Sequence, residues 1–253
     1  MKKLLPLLLL PLFLSCVTQE RVERATLIAH AGGAIDSCIY TNSREALELA
    51  ANNGYRFIEF DFQFTSDSVL VAAHSWRDFN VMTDSAHLGD ATPSFDDFAR
   101  RRIHGRYTPL SASEINEFFE LNDSLFLVTD KVSDPDILRR YFPNLKQRMV
   151  VEAFSYQDYI RLQDEGYHLV MYSCMASDVY TALFKNLLFN RLFPGKRIEW
   201  VAVHTSAFDV PFFKFINRVR RFNIALFTVD DLGSLPSEQT GRATMIYTNY
   251  MLP

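Results

Sequence analysis

Short apolar runs rich in β-branched and aromatic residues alternate along this chain with longer stretches of helical period. Such alternation is typical of βαβ units, in which helices join consecutive parallel strands. The strand-like runs are 26–30, 56–61, 69–74, 125–130, 149–152, 168–172, 200–204, 224–230 and 244–248, and the helical stretches include 43–52, 134–142, 156–165, 179–192 and 211–222. If run 69–74 folds back as a hairpin on its predecessor, eight core strands remain. Eight is the number that closes a (β/α)8 TIM barrel, which is the α/β fold we predict.

An open, doubly wound sheet is the alternative to a closed barrel. Its dinucleotide-binding form needs a third glycine after a pair such as Gly32 and Gly33, and the chain has none there. No linker rich in glycine, proline or serine divides residues 17–253. We therefore expect one barrel domain over that range.

Residues 1–16 have the layout of an export signal, with two lysines, an apolar stretch over 4–14 and then Ser15 and Cys16. The apolar stretch is shorter than the roughly 20 residues of a spanning helix. The ending Leu-Phe-Leu-Ser-Cys resembles a bacterial lipobox, in which Cys16 becomes the lipidated first residue. We therefore expect an exported lipoprotein, held at the outer membrane on the periplasmic or cell-surface side. An ordinary secretion signal or a buried N-terminal helix is the alternative.

The charge balance and the cysteine content exclude other classes of protein. The 26 basic residues stand against 30 acidic ones, which disfavours nucleic acid as a partner. Besides Cys16, the chain contains only Cys38 and Cys174, too few for a disulfide scaffold. We expect these two thiols to be unpaired.

Four residues that carry chemistry stand at the ends of the first three strand-like runs: His30, Glu59 with Asp61, and His74. Residues two apart on a strand project to the same face, so the two carboxylates point together. Carboxylates among phenylalanines are costly to bury without a cation, whereas two imidazoles suit proton transfer. This pattern predicts a hydrolytic metal site.

Other strand-like runs also end in polar residues, which are Asp130, Glu152, His204 and Asp230. The carboxyl ends of barrel strands converge on one mouth, so these residues could belong to a catalytic rim. Polar residues also mark strand ends in any protein. We interpret His204, like His87, His104 and His168, as structural.

The segment IAHAGG, followed by YTNSREALELAANNGYRFIEFDFQFTSDSVLVAAHSW, resembles the glycerophosphodiester phosphodiesterase family of the phosphatidylinositol-phospholipase-C-like superfamily. The order of motifs is the family's: histidine then glycine, Asn-Ser with Glu-Ala, I-E-x-D, T-x-D and a strand ending in histidine. The likeness is strong over residues 28–76 and weaker over LFLVTDKV, ALFTVDD and MIYTNYMLP. The shared His-Ala-Gly-Gly indicates a divergent sub-branch.

The resemblance implies a metal-dependent phosphodiesterase. It assigns Glu59, Asp61 and Asp130 as ligands of one divalent cation, Mg²⁺ or Ca²⁺, with aspartate replacing the commoner glutamate at 130. It assigns His30 and His74 as the acid and base. The implied substrate is a glycerophosphodiester or a related lipid or envelope head group.

The chain departs from the family pattern at residues that would bind the phosphate. Ala31 stands where the family has an arginine, Thr41 where it has a glutamate, and Ser75 where an aspartate follows the second histidine. Lys131 comes one residue earlier than the family lysine, and on a strand that shift would turn its ammonium to the opposite face, unless Asp130 already lies in the loop. The candidates for substrate binding are Gly32, Lys131, Glu152, Trp76 and Tyr172.

Two other functions remain open from the sequence. The loss of arginine at Ala31 would also fit an inactive module that keeps only metal or phosphate binding. Alternatively, an exported barrel with paired acids could be a glycosidase, with Glu152 as its acid.

Overall fold

A computed structural model of the chain describes residues 25–176, 179, 183, 198–207, 210–234 and 243–253. Nine strands lie within these residues. They are β1 (Thr26–Ala29), β2 (Phe57–Phe64), β3 (Leu70–Ala72), β4 (Phe126–Asp130), β5 (Met149–Ala153), β6 (Leu169–Ser173), β7 (Trp200–His204), β8 (Asn223–Phe227) and β9 (Ala243–Thr248).

Eight of these strands close into a parallel barrel. The order is β1-β9-β8-β7-β6-β5-β4-β2, and β2 pairs again with β1. The short strand β3 is antiparallel to the end of β2, with Phe62 opposite Ala72 and Phe64 opposite Leu70. The (β/α)8 barrel and the hairpin of its third run are confirmed, and the open-sheet alternative is wrong.

Seven helices are described around the barrel: α1 (Arg44–Asn52), α2 (Trp76–Met82), α3 (Phe95–Arg100), α4 (Ala112–Leu121), α5 (Pro135–Tyr141), α6 (Tyr156–Asp164) and α7 (Pro211–Arg220). Short 3₁₀ segments lie at His30–Gly32, Ala86–Leu88, Lys146–Arg148 and Leu232–Ser234. A serine or aspartate side chain caps each of α1 to α6 at its first turn. The sequence analysis missed α2, α3 and α4, and most of its predicted helix 179–192 lies outside the described residues.

Side chains alternate between the inside and the outside of the barrel along each strand. On β6, Met171 packs inside, while Val170 and Tyr172 pack outward in the layer beneath the helices. The interior is filled by Ile28, Val128, Val150, Met171, Ala202, Ala225, Met245 and Tyr247. This alternation decides which residues at the strand ends face the mouth.

The predicted signal 1–16 and its Cys16 lie outside the described residues, so export and lipid anchoring stay predictions of the sequence. Among the helices that are described, none has the length and apolar character needed to cross a bilayer. Cys38 and Cys174 are free thiols, as expected.

Candidate active site

A cavity of about 380 Å³ opens at the carboxyl ends of the barrel strands. It brings together seven of the predicted site residues, although they are far apart in the sequence. The described residues that line it are His30, Tyr40, Glu59, Asp61, His74, Asp130, Lys131, Glu152, Phe154, Met175, His204, Phe227, Thr228 and Tyr247.

Three carboxylates form a cluster at the floor of this cavity. Glu59 and Asp61 alternate inward on β2, and Asp61 is in register with Asp130 at the end of β4. Each of the three offers one carboxylate oxygen, and these three oxygens all lie within 4.8 Å of one another. Glu59 and Asp61 are each only 1% exposed, so the cluster concentrates negative charge away from water.

The electrostatics of the cluster fit a cation site. Burial, with repulsion from Asp61 and Asp130, raises the pKa of Glu59 well above its usual range. Burial and Glu152 do the same to the pKa of Asp130. Within the described residues, Glu59 Oε1 is buried and has no hydrogen-bond partner. Mg²⁺ and Ca²⁺ bind carboxylate oxygens, and a bound ion would give the unpaired Glu59 Oε1 a partner.

Two neighbouring groups hold the carboxylates in place. The backbone N–H of Ala31, at a left-handed φ of 50°, donates to Glu59 Oε2 at 2.6 Å. Asn42 Nδ2 donates to Asp61 Oδ2 at 3.0 Å, and its Oδ1 accepts from the Asp61 N–H at 3.1 Å. Asn42 was missed as a site residue, although it belongs to the YTNS motif of the resemblance. Ala31 therefore contributes through its backbone N–H and not through its methyl side chain.

Lys131, a candidate for substrate binding, also reaches the cavity, and its ammonium does not turn to the opposite face. Its φ of 69° places it in the left-handed region, so the chain bends just beyond β4. Its Nζ lies 3.1 Å from Asp61 Oδ1 and also donates to the carbonyl of His74. This ammonium keeps the pKa of Asp61 low, although burial of that carboxyl acts the other way.

His74 is paired with a carboxylate that the sequence analysis did not identify. Its Nδ1 lies 2.7 Å from Asp78 Oδ2, and Ser75 Oγ donates to the same oxygen at 2.6 Å. Partial burial acts to raise the pKa of Asp78, but these hydrogen bonds lower it below its usual value. The available signal was S-x-x-D, in which Ser75 caps α2 and Asp78 sits in its first turn.

His30 follows β1 and is enclosed by the mouth of the barrel. Burial lowers the pKa of His30, although Asp61 and Asn249 act in the opposite direction. Its Nδ1 lies 3.2 Å from Thr228 Oγ1. A neutral imidazole in this position is suited to accept a proton.

Two more lining residues were missed or misread. His204, which we interpreted as structural, lines the cavity, because Trp200, Ala202 and His204 alternate inward on β7 and place its ring at the mouth. Its strand-end position was the available signal. Tyr40 lies beside both His30 and His74, with ring centroids 4.7 Å from each.

Three predicted substrate-binding residues lie elsewhere. Gly32 is buried under α1, where an added Cβ would come within 3.1 Å of Ala46 Cβ. Trp76 packs edge-on against Phe79 and Phe98 on the side of the barrel. Tyr172 points outward because its neighbours Met171 and Ser173 point inward, so it packs against Tyr159. None of the three lines the cavity, which corrects the expected place of these residues.

Glu152 lies inside the barrel on β5 and accepts a hydrogen bond from the Tyr247 hydroxyl at 3.4 Å. Burial raises its pKa to about 7, so between pH 4.5 and 7 the folded chain holds a proton that the unfolded chain releases. Glu152 therefore makes stability fall as pH rises through this window. From pH 4 to pH 8, we expect the free energy of unfolding of Glu152→Gln to rise by roughly 3 kcal/mol relative to that of the parent.

Urea unfolding of the two proteins in EDTA at a series of pH values measures this difference. A gap between their unfolding free energies that stays constant with pH would contradict the assignment of the titration to Glu152.

Comparison with known proteins agrees with the geometry of this site. A sequence profile of the glycerophosphoryl diester phosphodiesterase family matches residues 33–183. Among curated proteins, none matches the chain.

Solved structures of glycerophosphodiester phosphodiesterases share the fold. One from Parabacteroides distasonis is 17% identical with a TM-score of 0.63, covering 89% of this chain and 93% of its own. One from Thermotoga maritima is 15% identical with a TM-score of 0.60, and the match covers 89% of this chain and 94% of that one. An Oleispira antarctica phosphodiesterase, solved with the product sn-glycerol-3-phosphate, is 17% identical with a TM-score of 0.60, covering 90% and 94%.

The profile match extends over more than half of the chain, and it includes the carboxylate pair of β2, His74 and Asp130. The match to a phosphodiesterase family favours phosphodiester hydrolysis over the glycosidase alternative. This chain belongs to the glycerophosphoryl diester phosphodiesterase family and is a phosphodiester hydrolase.

Proposed function

We propose that the enzyme hydrolyses small glycerophosphodiesters, with His30 as general base and His74 as general acid. One observation carries the proposal: two imidazoles and three clustered carboxylates line the same cavity. The product bound to the Oleispira antarctica relative, sn-glycerol-3-phosphate, supports this substrate class.

The surroundings of the two histidines support their separate roles. His30 is kept neutral by burial, so it can accept a proton from the attacking hydroxyl. His74 has the Asp78 carboxylate 2.7 Å from its Nδ1, which stabilises an imidazolium. A protonated His74 can then donate from its other nitrogen to the departing alkoxide.

The anionic phosphate needs positive charge that Ala31 cannot supply. Glu59, Asp61 and Asp130 would hold the divalent cation, which when bound neutralises charge on the phosphoryl oxygens. Lys131 adds an ammonium at the edge of the same cavity, 28% exposed and therefore accessible to substrate. Where Ala31 supplies no guanidinium, the ammonium of Lys131 is thus a point charge available to the phosphate.

A panel of phosphodiesters tests the proposed function. Purified protein is incubated with glycerophosphocholine, glycerophosphoethanolamine, glycerophosphoglycerol and bis(p-nitrophenyl) phosphate, and released glycerol phosphate or alcohol is measured. We expect turnover of glycerophosphodiesters that EDTA abolishes and that Mg²⁺ or Ca²⁺ restores. Metal binding without turnover of any diester would instead support an inactive binding module.

A further inference from the structure

Tyr40 contacts both of the proposed catalytic histidines. It lies in the loop between the 3₁₀ segment His30–Gly32 and α1, and its ring lines the cavity. Its centroid is 4.7 Å from that of His30, at an interplanar angle of 76°, and 4.7 Å from that of His74, at 48°. One aromatic ring therefore touches the acid and the base at once.

The backbone holds this ring in a fixed place. Tyr40 has a φ of 58°, in the left-handed region that bulky side chains rarely adopt, and Asn42 has a φ of 48° in the same region. Asn42 is tied to Asp61 by two hydrogen bonds, and its N–H donates to the Ala31 carbonyl at 3.2 Å. Such conformations persist where the surroundings over-determine them, as they do beside the carboxylate cluster.

The Tyr40 hydroxyl extends the contact to a specific ring nitrogen. Thr228 Oγ1 is 3.2 Å from His30 Nδ1. Burial raises the pKa of the Tyr40 hydroxyl, and a hydrogen bond from the same Thr228 side chain acts against that rise. A threonine hydroxyl has a single proton to donate. When Thr228 donates to Tyr40, its oxygen accepts from the Nδ1–H of His30. The proton on Nδ1 leaves Nε2 free to accept another proton, as a general base requires.

We propose that Tyr40 is a positioning residue that spaces the two imidazoles and, through Thr228, selects the Nδ1–H tautomer of His30. This inference rests on the proposed function, because it assigns His30 as the base. It does not require Tyr40 to contact the reacting atoms. The ring and the hydroxyl have separate tasks, so they can be removed separately.

Two substitutions separate these tasks. Tyr40→Asn removes the ring while keeping a residue that tolerates the left-handed backbone, and Tyr40→Phe removes only the hydroxyl. We expect Tyr40→Asn to lower kcat about 100-fold, the size of an effect from misplaced catalytic groups, with KM and metal affinity within about threefold. We expect Tyr40→Phe to lower kcat about fivefold, the size of one neutral hydrogen bond.

Thr228→Val should reproduce the Tyr40→Phe effect, and the double variant should be no slower than either single one, because both remove the same link. Tyr141→Phe is the matched control: its hydroxyl donates to the Ser68 carbonyl at 3.3 Å, away from the cavity. It should keep full activity.

The tautomer is measured by ¹⁵N NMR of the imidazoles, which needs no turnover. We expect the Nδ1–H form for His30 in the parent and a loss of that preference in Tyr40→Phe and Thr228→Val. A parent without phosphodiesterase activity but with this tautomer response would refute the proposed function and leave the positioning role standing. The positioning role is overturned if Tyr40→Asn keeps kcat within threefold of the parent, or if neither variant alters the His30 spectrum.

Discussion

Replacing His30 or His74 by alanine should lower kcat by roughly 10²–10⁴-fold while leaving the affinity for Mg²⁺ or Ca²⁺ nearly unchanged. Each imidazole would move one proton, and neither belongs to the three carboxylates that cluster within 4.8 Å. Steady-state kinetics on a glycerophosphodiester and calorimetric titration with the metal measure the two effects separately.

The leaving group distinguishes the acid from the base. When the substrate is a p-nitrophenyl ester, the leaving group is p-nitrophenolate, a stable anion that needs no proton. His74→Ala should therefore recover most of its activity on such a substrate, whereas His30→Ala should not, because attack still requires a base. His87, exposed on a 3₁₀ segment, provides the control substitution to alanine, which should be silent. Recovery by the His30 variant alone would reverse the two roles.

Neutralising one buried carboxylate, by Glu59→Gln, should abolish metal-dependent turnover and yet stabilise the metal-free protein. The pKa of Glu59 is raised well above its usual value, with burial as the largest cause. Its charged form therefore destabilises the folded state once the pH exceeds the carboxyl's value in the unfolded chain, and glutamine removes that charge. The melting temperature in EDTA at pH 7 should rise, by about 2–4 °C for each kcal/mol gained.

Saturating Mg²⁺ or Ca²⁺ should raise the melting temperature of the parent but not that of the Glu59→Gln variant, because only the parent binds the ion tightly. Asp84→Asn, at an exposed position outside the cavity, is the control for the loss of one negative charge. Equal metal-induced shifts in the parent and in Glu59→Gln would show that the cluster is not the ion's site.

The residues that were predicted correctly are those whose position follows from strand alternation. Glu59 and Asp61 are two apart on one strand, and Asp130 ends the next strand of the barrel in register with Asp61. Repetition of apolar runs was sufficient to count the strands, since each run buries the same kind of surface. Helices α2 and α3 were missed because they are short and their apolar positions, such as Phe79 and Phe98, pack in a separate cluster beside β3. Helix α4 was also missed, although it has ten residues and packs Ile115 and Phe119 into the main core.

The residues that were missed depend on loops whose course no periodicity describes. Asp78 reaches His74 because Ser75 starts a helix there, and Tyr40 reaches both histidines because its backbone takes a left-handed turn. The face on which Lys131 lies was left open by the sequence for the same reason, since the chain leaves strand geometry immediately after Asp130. Tyr172 was misplaced because the register of its strand, and thus its inward face, was not evident from an apolar run.

The amino-acid sequence by itself determined the barrel and its acidic pair, because both follow from local periodicity and from the cost of burying unpaired charge. Only the tertiary structure decided the partners of the two histidines, the inward turn of Lys131 and the place of Tyr40 between acid and base. Those contacts join residues up to 198 positions apart, as Thr228 and His30 are, and they depend on single backbone angles in loops. Barrel closure brings such residues together, and one residue in the left-handed region is sufficient to aim a side chain into the site or away from it.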